Sequence, residues 1–233
     1  MPRRKITFEN DNYYHIYNRG VERRNIIKNN YDIMRMLESL EIFNTTESVG
    51  SIYEDSRRKR NSQFGSPASK LVEIVAFNIL DNHYHLILKQ LIDGGISKFM
   101  HSFGTGYVKH FNEKYDRVGS LFQGVFKAEY INSDKYLSYV VSYVNGNHFI
   151  HSYEKFGSPA SKWGMRSSLE QYTKHKKEWK NKYFECVVDM VKSKFKNGDK
   201  YLEEVIGITK NISGKRKDDK DLEARLPNDN FEQ

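Results

Sequence analysis

Cysteine is almost absent from this sequence: Cys186 is the one thiol among 233 residues. A single thiol closes no internal disulfide and supplies no cysteine-based zinc site. A reducing cytoplasm is therefore the expected compartment. Long hydrophobic runs are lacking as well. No window reaches the roughly 20 apolar residues that a bilayer-spanning helix needs, so no membrane partner is expected. The opening MPRRKITFEN has charges with no apolar run behind them, which is not the pattern of a secretory signal.

Acidic charge is in deficit. There are 38 Lys and Arg against 30 Asp and Glu, a formal net charge of +8. Such a balance favours a polyanionic partner, of which nucleic acid is the commonest. The sequence is rich in rings, with 16 Tyr and 14 Phe. Most of these belong to a core. Rings interleaved with basic residues also suit single-stranded or distorted nucleic acid, whose bases can stack on them.

The hydrophobic pattern gives an order of elements. NYYHIYN (12–18) reads as a strand, followed by the basic loop RGVERRN. Ile33, Met36, Leu37, Leu40 and Phe43 have helical spacing within 27–43. Residues 44–70 are polar and rich in Ser and Arg, the pattern of a long loop or insertion. LVEIVAFNIL (71–80) and HYHLILKQ (83–90) read as two strands joined by a tight turn. A helix stripe of Ile96, Phe99, Met100, Phe103, Tyr107 and Phe111 follows, then a strand near 125–131. Ser133 and Asp134 can cap a helix over 134–147. The series β-α-β-β-α-β predicts an α+β fold, a ferredoxin-like two-layer sandwich with an antiparallel sheet. The helix at 134–147 is an addition to it. Residues 8–150 would form that domain, 151–210 a helical C-terminal extension, and 211–233 a charged, disordered tail. FGSPASK occurs twice, at 64–70 and 156–162, too short a repeat to be a domain duplication.

Within this frame DNHYHLILKQ raises a question. Residues two apart on a strand share a face, so His83 and His85 project together. Two imidazoles at this spacing can hold a divalent ion. Tyr139, Tyr143 and Asn147 fall at successive steps of four on the 134–147 helix and share a face of it. A tyrosine hydroxyl and an amide oxygen could thus meet the histidine pair. The plainer alternative for Tyr143 is a core tyrosine with its hydroxyl at the surface.

NHYHLIL, HFNEKYDRVGSLFQGVFKAEYI and YLSYVVSYVNGNH together resemble the single-tyrosine transposases of the HUH endonuclease superfamily. The similarity is strongest to the REP-associated tyrosine transposases, and YYHIYNRGVERRNI is similar to that group's first strand and Arg-Gly loop. The resemblance covers about residues 8–150. It implies metal ligation by His83 and His85, with Asn147 as third ligand, and Tyr143 as nucleophile. It also implies cleavage of single-stranded DNA beside a hairpin, through a 5′-phosphotyrosine bond and a released 3′-hydroxyl, with Mg²⁺ or Mn²⁺ and no nucleoside triphosphate. Mn²⁺ suits two imidazoles better than Mg²⁺ does. The sequence departs from the family where proline usually follows the asparagine: the text here is VNGNHFIH. Asn145 therefore rivals Asn147 as ligand, and Tyr139, one turn earlier, rivals Tyr143. Candidate DNA contacts are Arg19, Arg23 and Arg24 in the first loop, the run Arg57, Arg58, Lys59 and Arg60, and Lys109, Gln123 and Lys127. The alternative to an enzyme is a non-catalytic, domesticated protein that binds hairpin DNA. Relatives of this kind work as monomers or homodimers.

Overall fold

The structure is a computed structural model that describes residues 6–47, 70–151, 166–169 and 198–215. Strands β1 (Tyr13–Arg19), β2 (Val72–Ile79), β3 (His83–Gln90) and β4 (Lys127–Ile131) form one sheet in the order β2-β3-β1-β4. Every pairing is antiparallel. Helix α1 (Asn30–Ile42) connects β1 to β2, and α2 (Gly95–Lys114) connects β3 to β4. This is the ferredoxin-like arrangement the hydrophobic pattern predicts, with strand ends displaced by one or two residues.

Local chemistry explains the boundaries. Asn29 caps α1 in a reciprocal box: its side chain accepts from the Asp32 N–H, and the Asp32 carboxylate accepts from the Asn29 N–H. The box satisfies donors that a helix start otherwise leaves unmade. Burial opposes ionisation of Asp32, but hydrogen bonds from Lys114, Tyr115 and the Lys28 N–H outweigh it and hold the carboxyl below its ordinary pKa. The turn at Asp81–Asn82 closes with Leu80 N–H donating to His83 C=O at 2.8 Å. Its remaining carbonyls accept from Gly20, Ile26 and Ile27, so the hairpin tip anchors the basic loop after β1.

The sheet has two dissimilar faces. One presents Tyr14, Ile16, Tyr84, Leu86 and Leu88, all buried, and Tyr84 meets the ring of Phe103 from α2. The other face carries the histidines and is covered by α3 (Asp134–His151), which packs on β2 and β3. Asn78 of β2 donates to the Val144 carbonyl at 2.8 Å and ties α3 to the sheet. Helix α4 (Gly198–Lys215) packs along α3 in turn. It continues to Lys215 and so extends past 211, where the charged tail was expected to begin. The rest of that tail, the 44–70 insertion apart from its two ends, both FGSPASK copies apart from Lys70, and Cys186 lie outside the described residues.

Candidate active site

Strand register builds the site. His83 lies opposite Arg19, and His85 lies opposite Tyr17. Tyr17 also faces Lys127 on β4, and Asn78 on β2 faces His85. One row across the sheet therefore reads Asn78, His85, Tyr17, Lys127. The next contains His15, opposite Ile87 on one side and Glu129 on the other.

From above, α3 lowers Tyr143 onto these rows. Its ring meets His85 edge-on with centroids 6.0 Å apart and His15 edge-on at 6.4 Å. The rings of His83 and His85 are 5.2 Å apart at 82°. A phenol and two imidazoles far apart in the sequence thus converge. Tyr143 is fully buried and His83 nearly so.

The imidazoles have defined partners. His83 Nδ1 is 2.6 Å from Asn82 Oδ1. That oxygen can only accept, so Nδ1 carries the proton and Nε2 keeps its lone pair. His85 Nδ1 is 2.8 Å from His15 Nε2. Burial lowers the His15 pKa to about 3, so it is neutral at neutral pH. The structure describes no cation, and the donors fit one. Both imidazoles have Nδ1 engaged elsewhere, which leaves Nε2 as the ring atom that could ligate, the arrangement in which histidine ligands are commonly oriented. Among the described residues no three His, Cys, Asp or Glu side chains form a metal-holding group, and the pair by itself offers two nitrogen ligands.

The two asparagines separate. Asn145 donates to the Tyr201 hydroxyl of α4 at 2.7 Å, and its Oδ1 accepts from Ser168. Its amide is committed to holding α3 against α4. Asn147 is fully buried, and neither atom of its amide has a hydrogen-bond partner among the described residues. Tyr139, half-buried, stacks on Tyr136 at 6.4 Å.

The candidate DNA contacts are dispersed. Arg19 shares the histidine face and is held by Gln123, whose Oε1 accepts from Arg19 Nε. Lys127 is exposed beside Tyr17, its Nζ 5.9 Å from that ring. Arg23 is exposed on a short 3-10 turn. Arg24 is tied to the loop itself, to Val21 C=O and Glu22. A Cβ on Gly20 would sit 2.1 Å from the Arg24 carbonyl, so this loop requires glycine there. Lys109 is not at the histidines. It lines a groove of about 690 Å³ with Asn18, Met100, His101, Thr105 and Phe122, on the side of the sheet that faces α2. Arg57, Arg58, Lys59 and Arg60 lie outside the described residues.

Pattern reading missed His15, Tyr17 and Glu129. For His15 and Tyr17 the signal was present in NYYHIYN, where they alternate on one face as His83 and His85 do. Only strand pairing shows that the two faces are the same. Tyr17 stacks on His15 at 4.9 Å and donates its hydroxyl to Glu129 at 3.0 Å.

Residues 55–147 match the family model described as Transposase IS200 like. This segment is IS200-transposase-like. It spans about two-fifths of the chain and contains His83, His85, Tyr143 and Asn147. A solved structure described as a REP associates tyrosine transposase bound to a REP hairpin is similar at 15% identity. That similarity covers 81% of this chain and 96% of that one, with a TM-score of 0.46. No curated protein matches the chain. Among the described residues no helix is long and apolar enough to cross a membrane. Strand β1, which carries His15 and Tyr17, lies upstream of the IS200-like segment.

Proposed function

We propose that the protein is a metal-dependent endonuclease and strand transferase of single-stranded DNA, acting beside hairpins, with Tyr143 as nucleophile. The observation that carries this reading is the convergence of the Tyr143 ring on His85. The IS200-like match over the same residues supports it.

A phenol with a pKa of about 10 is a poor nucleophile at neutral pH. Mg²⁺ or Mn²⁺, held by His83, His85 and Asn147, would withdraw charge from the scissile phosphate and offset that weakness. The Tyr143 hydroxyl loses its proton and its oxygen bonds to phosphorus. The bond from phosphorus to the 3′-oxygen breaks, and that oxygen takes up a proton. The product is a 5′-phosphotyrosine and a free 3′-hydroxyl. One phosphodiester replaces another, so rejoining needs no ATP. Arg19 and Lys127 flank the histidine rows and would hold flanking phosphates. Asn145 is engaged by Tyr201 and Ser168, which supports Asn147 over Asn145 as the third ligand.

The full burial of Tyr143 favours a second reading, a non-catalytic hairpin-binding protein. For catalysis the cover over that ring must part when DNA binds. A labelled single-stranded hairpin oligonucleotide incubated with Mn²⁺ decides between the two. The enzyme reading expects a covalent adduct that chelation or Tyr143→Phe abolishes. Binding without an adduct across varied flanking sequences supports the binder. An adduct that survives Tyr143→Phe and vanishes in Tyr139→Phe reassigns the nucleophile.

A further inference from the structure

His15 is an imidazole with no exposed surface. Its Nδ1 is buried and has no hydrogen-bond partner among the described residues. A buried polar atom left unmade is unfavourable, and an apolar ring would avoid that penalty at this position. The other nitrogen, Nε2, lies 2.8 Å from His85 Nδ1, and the two rings are parallel within 5° at 5.1 Å. Tyr17 stacks on both rings, 4.9 Å from His15 and 5.9 Å from His85, and is itself fixed by Glu129. The His15 ring is thus packed against Tyr17 and His85 with one nitrogen aimed at His85.

A neutral imidazole has a single N–H, so the bond has two forms. If His15 donates, His85 carries its own proton on Nε2 and cannot ligate through that atom. If His85 donates from Nδ1, its Nε2 keeps a lone pair on the side of the ring away from His15. Each form leaves one buried nitrogen of His15 unmade, so that loss does not separate them. The second form gives His85 the same protonation pattern that Asn82 imposes on His83.

We propose that His15 is a positioning residue: it accepts the Nδ1–H of His85 and so holds His85 in the orientation and tautomer that present Nε2 beside Tyr143. This rests on the reading of the histidine pair as ligands. Partners of this kind typically change metal affinity 10–100-fold when removed.

The tautomer is tested in the full chain without metal, by ¹⁵N–¹H correlation spectra of the histidine rings. The expected spectrum shows His85 protonated on Nδ1, and His15→Phe moves it toward the Nε2–H form. His15→Gln, whose side-chain oxygen can accept the same proton, keeps the original form. Mn²⁺ titration followed by electron paramagnetic resonance gives the second readout. Affinity should fall about 10–100-fold in His15→Phe and recover to within a few-fold in His15→Gln. A wild-type His85 bare at Nδ1 overturns the proposal, as does His15→Phe binding Mn²⁺ like wild type while His85→Ala does not. Mn²⁺ binding indifferent to His85→Ala overturns the ligand reading instead, and the spectra still decide what His15 does.

Discussion

Gly146→Ala tests how the nucleophile-bearing helix is held. Gly146 lies inside α3, three residues after Tyr143. In an isolated helix this change would stabilise by about 0.8–1.0 kcal/mol, because alanine loses less backbone entropy than glycine. Here α4 packs directly over the position. An added Cβ would stand 2.5 Å from Thr209 Cγ2 and 2.7 Å from Val205 Cγ1. Both atoms belong to buried β-branched side chains, whose χ1 has little freedom in a helix. Overpacking of this kind costs about 1–3 kcal/mol. The clash at least offsets the propensity gain, and the net is a destabilisation of about 0–2 kcal/mol. Urea unfolding measures it. In a Val205→Ala/Thr209→Ser background both methyl obstacles are gone, and Gly146→Ala should become neutral or stabilising by up to about 1 kcal/mol. A Gly146→Ala that stabilises the otherwise unaltered protein as much as it does that background would show that α4 does not pack on this face.

Asn145→Ala should lose about 1–3 kcal/mol of stability, because it strands the Tyr201 hydroxyl and the Ser168 partner. Asn147→Ala removes an amide with no hydrogen bond among the described residues, so its urea midpoint should hold while its Mn²⁺ affinity falls. The Asp32 carboxyl has a lowered pKa in the folded state, so its stabilisation is present above the ordinary carboxylate value and lost as pH falls below about 4. Urea unfolding between pH 5 and pH 2.5 should therefore show a loss that Asp32→Asn reduces. Arg19→Ala should weaken hairpin binding for every sequence and lower the salt slope of log K by about 1, if it neutralises one phosphate. Arg24→Ala should leave that slope unchanged, because its guanidinium is engaged by Val21 and Glu22.

The elements and their order follow from short-range periodicity, which is legible in the chain alone. The alternation in HYHLILKQ puts His83 and His85 on one face whatever surrounds them. The steps of four put Tyr143 and Asn147 on one side of a helix. The charged stretch beginning at 211 misled at its start: helix α4 continues to Lys215, and Ile212 within it is buried. What only the tertiary structure decided is which faces meet. Strand pairing brought His15 to His85 across 70 residues and placed Tyr17 between Lys127 and the histidines. Packing of α4 gave Asn145 a structural role, while the Asn147 amide has no hydrogen bond among the described residues, a distinction that two asparagines in VNGN do not carry. The physical reason is range: backbone geometry sets a side chain's direction within a few residues, whereas its partner depends on sheet register and on which helix covers the sheet.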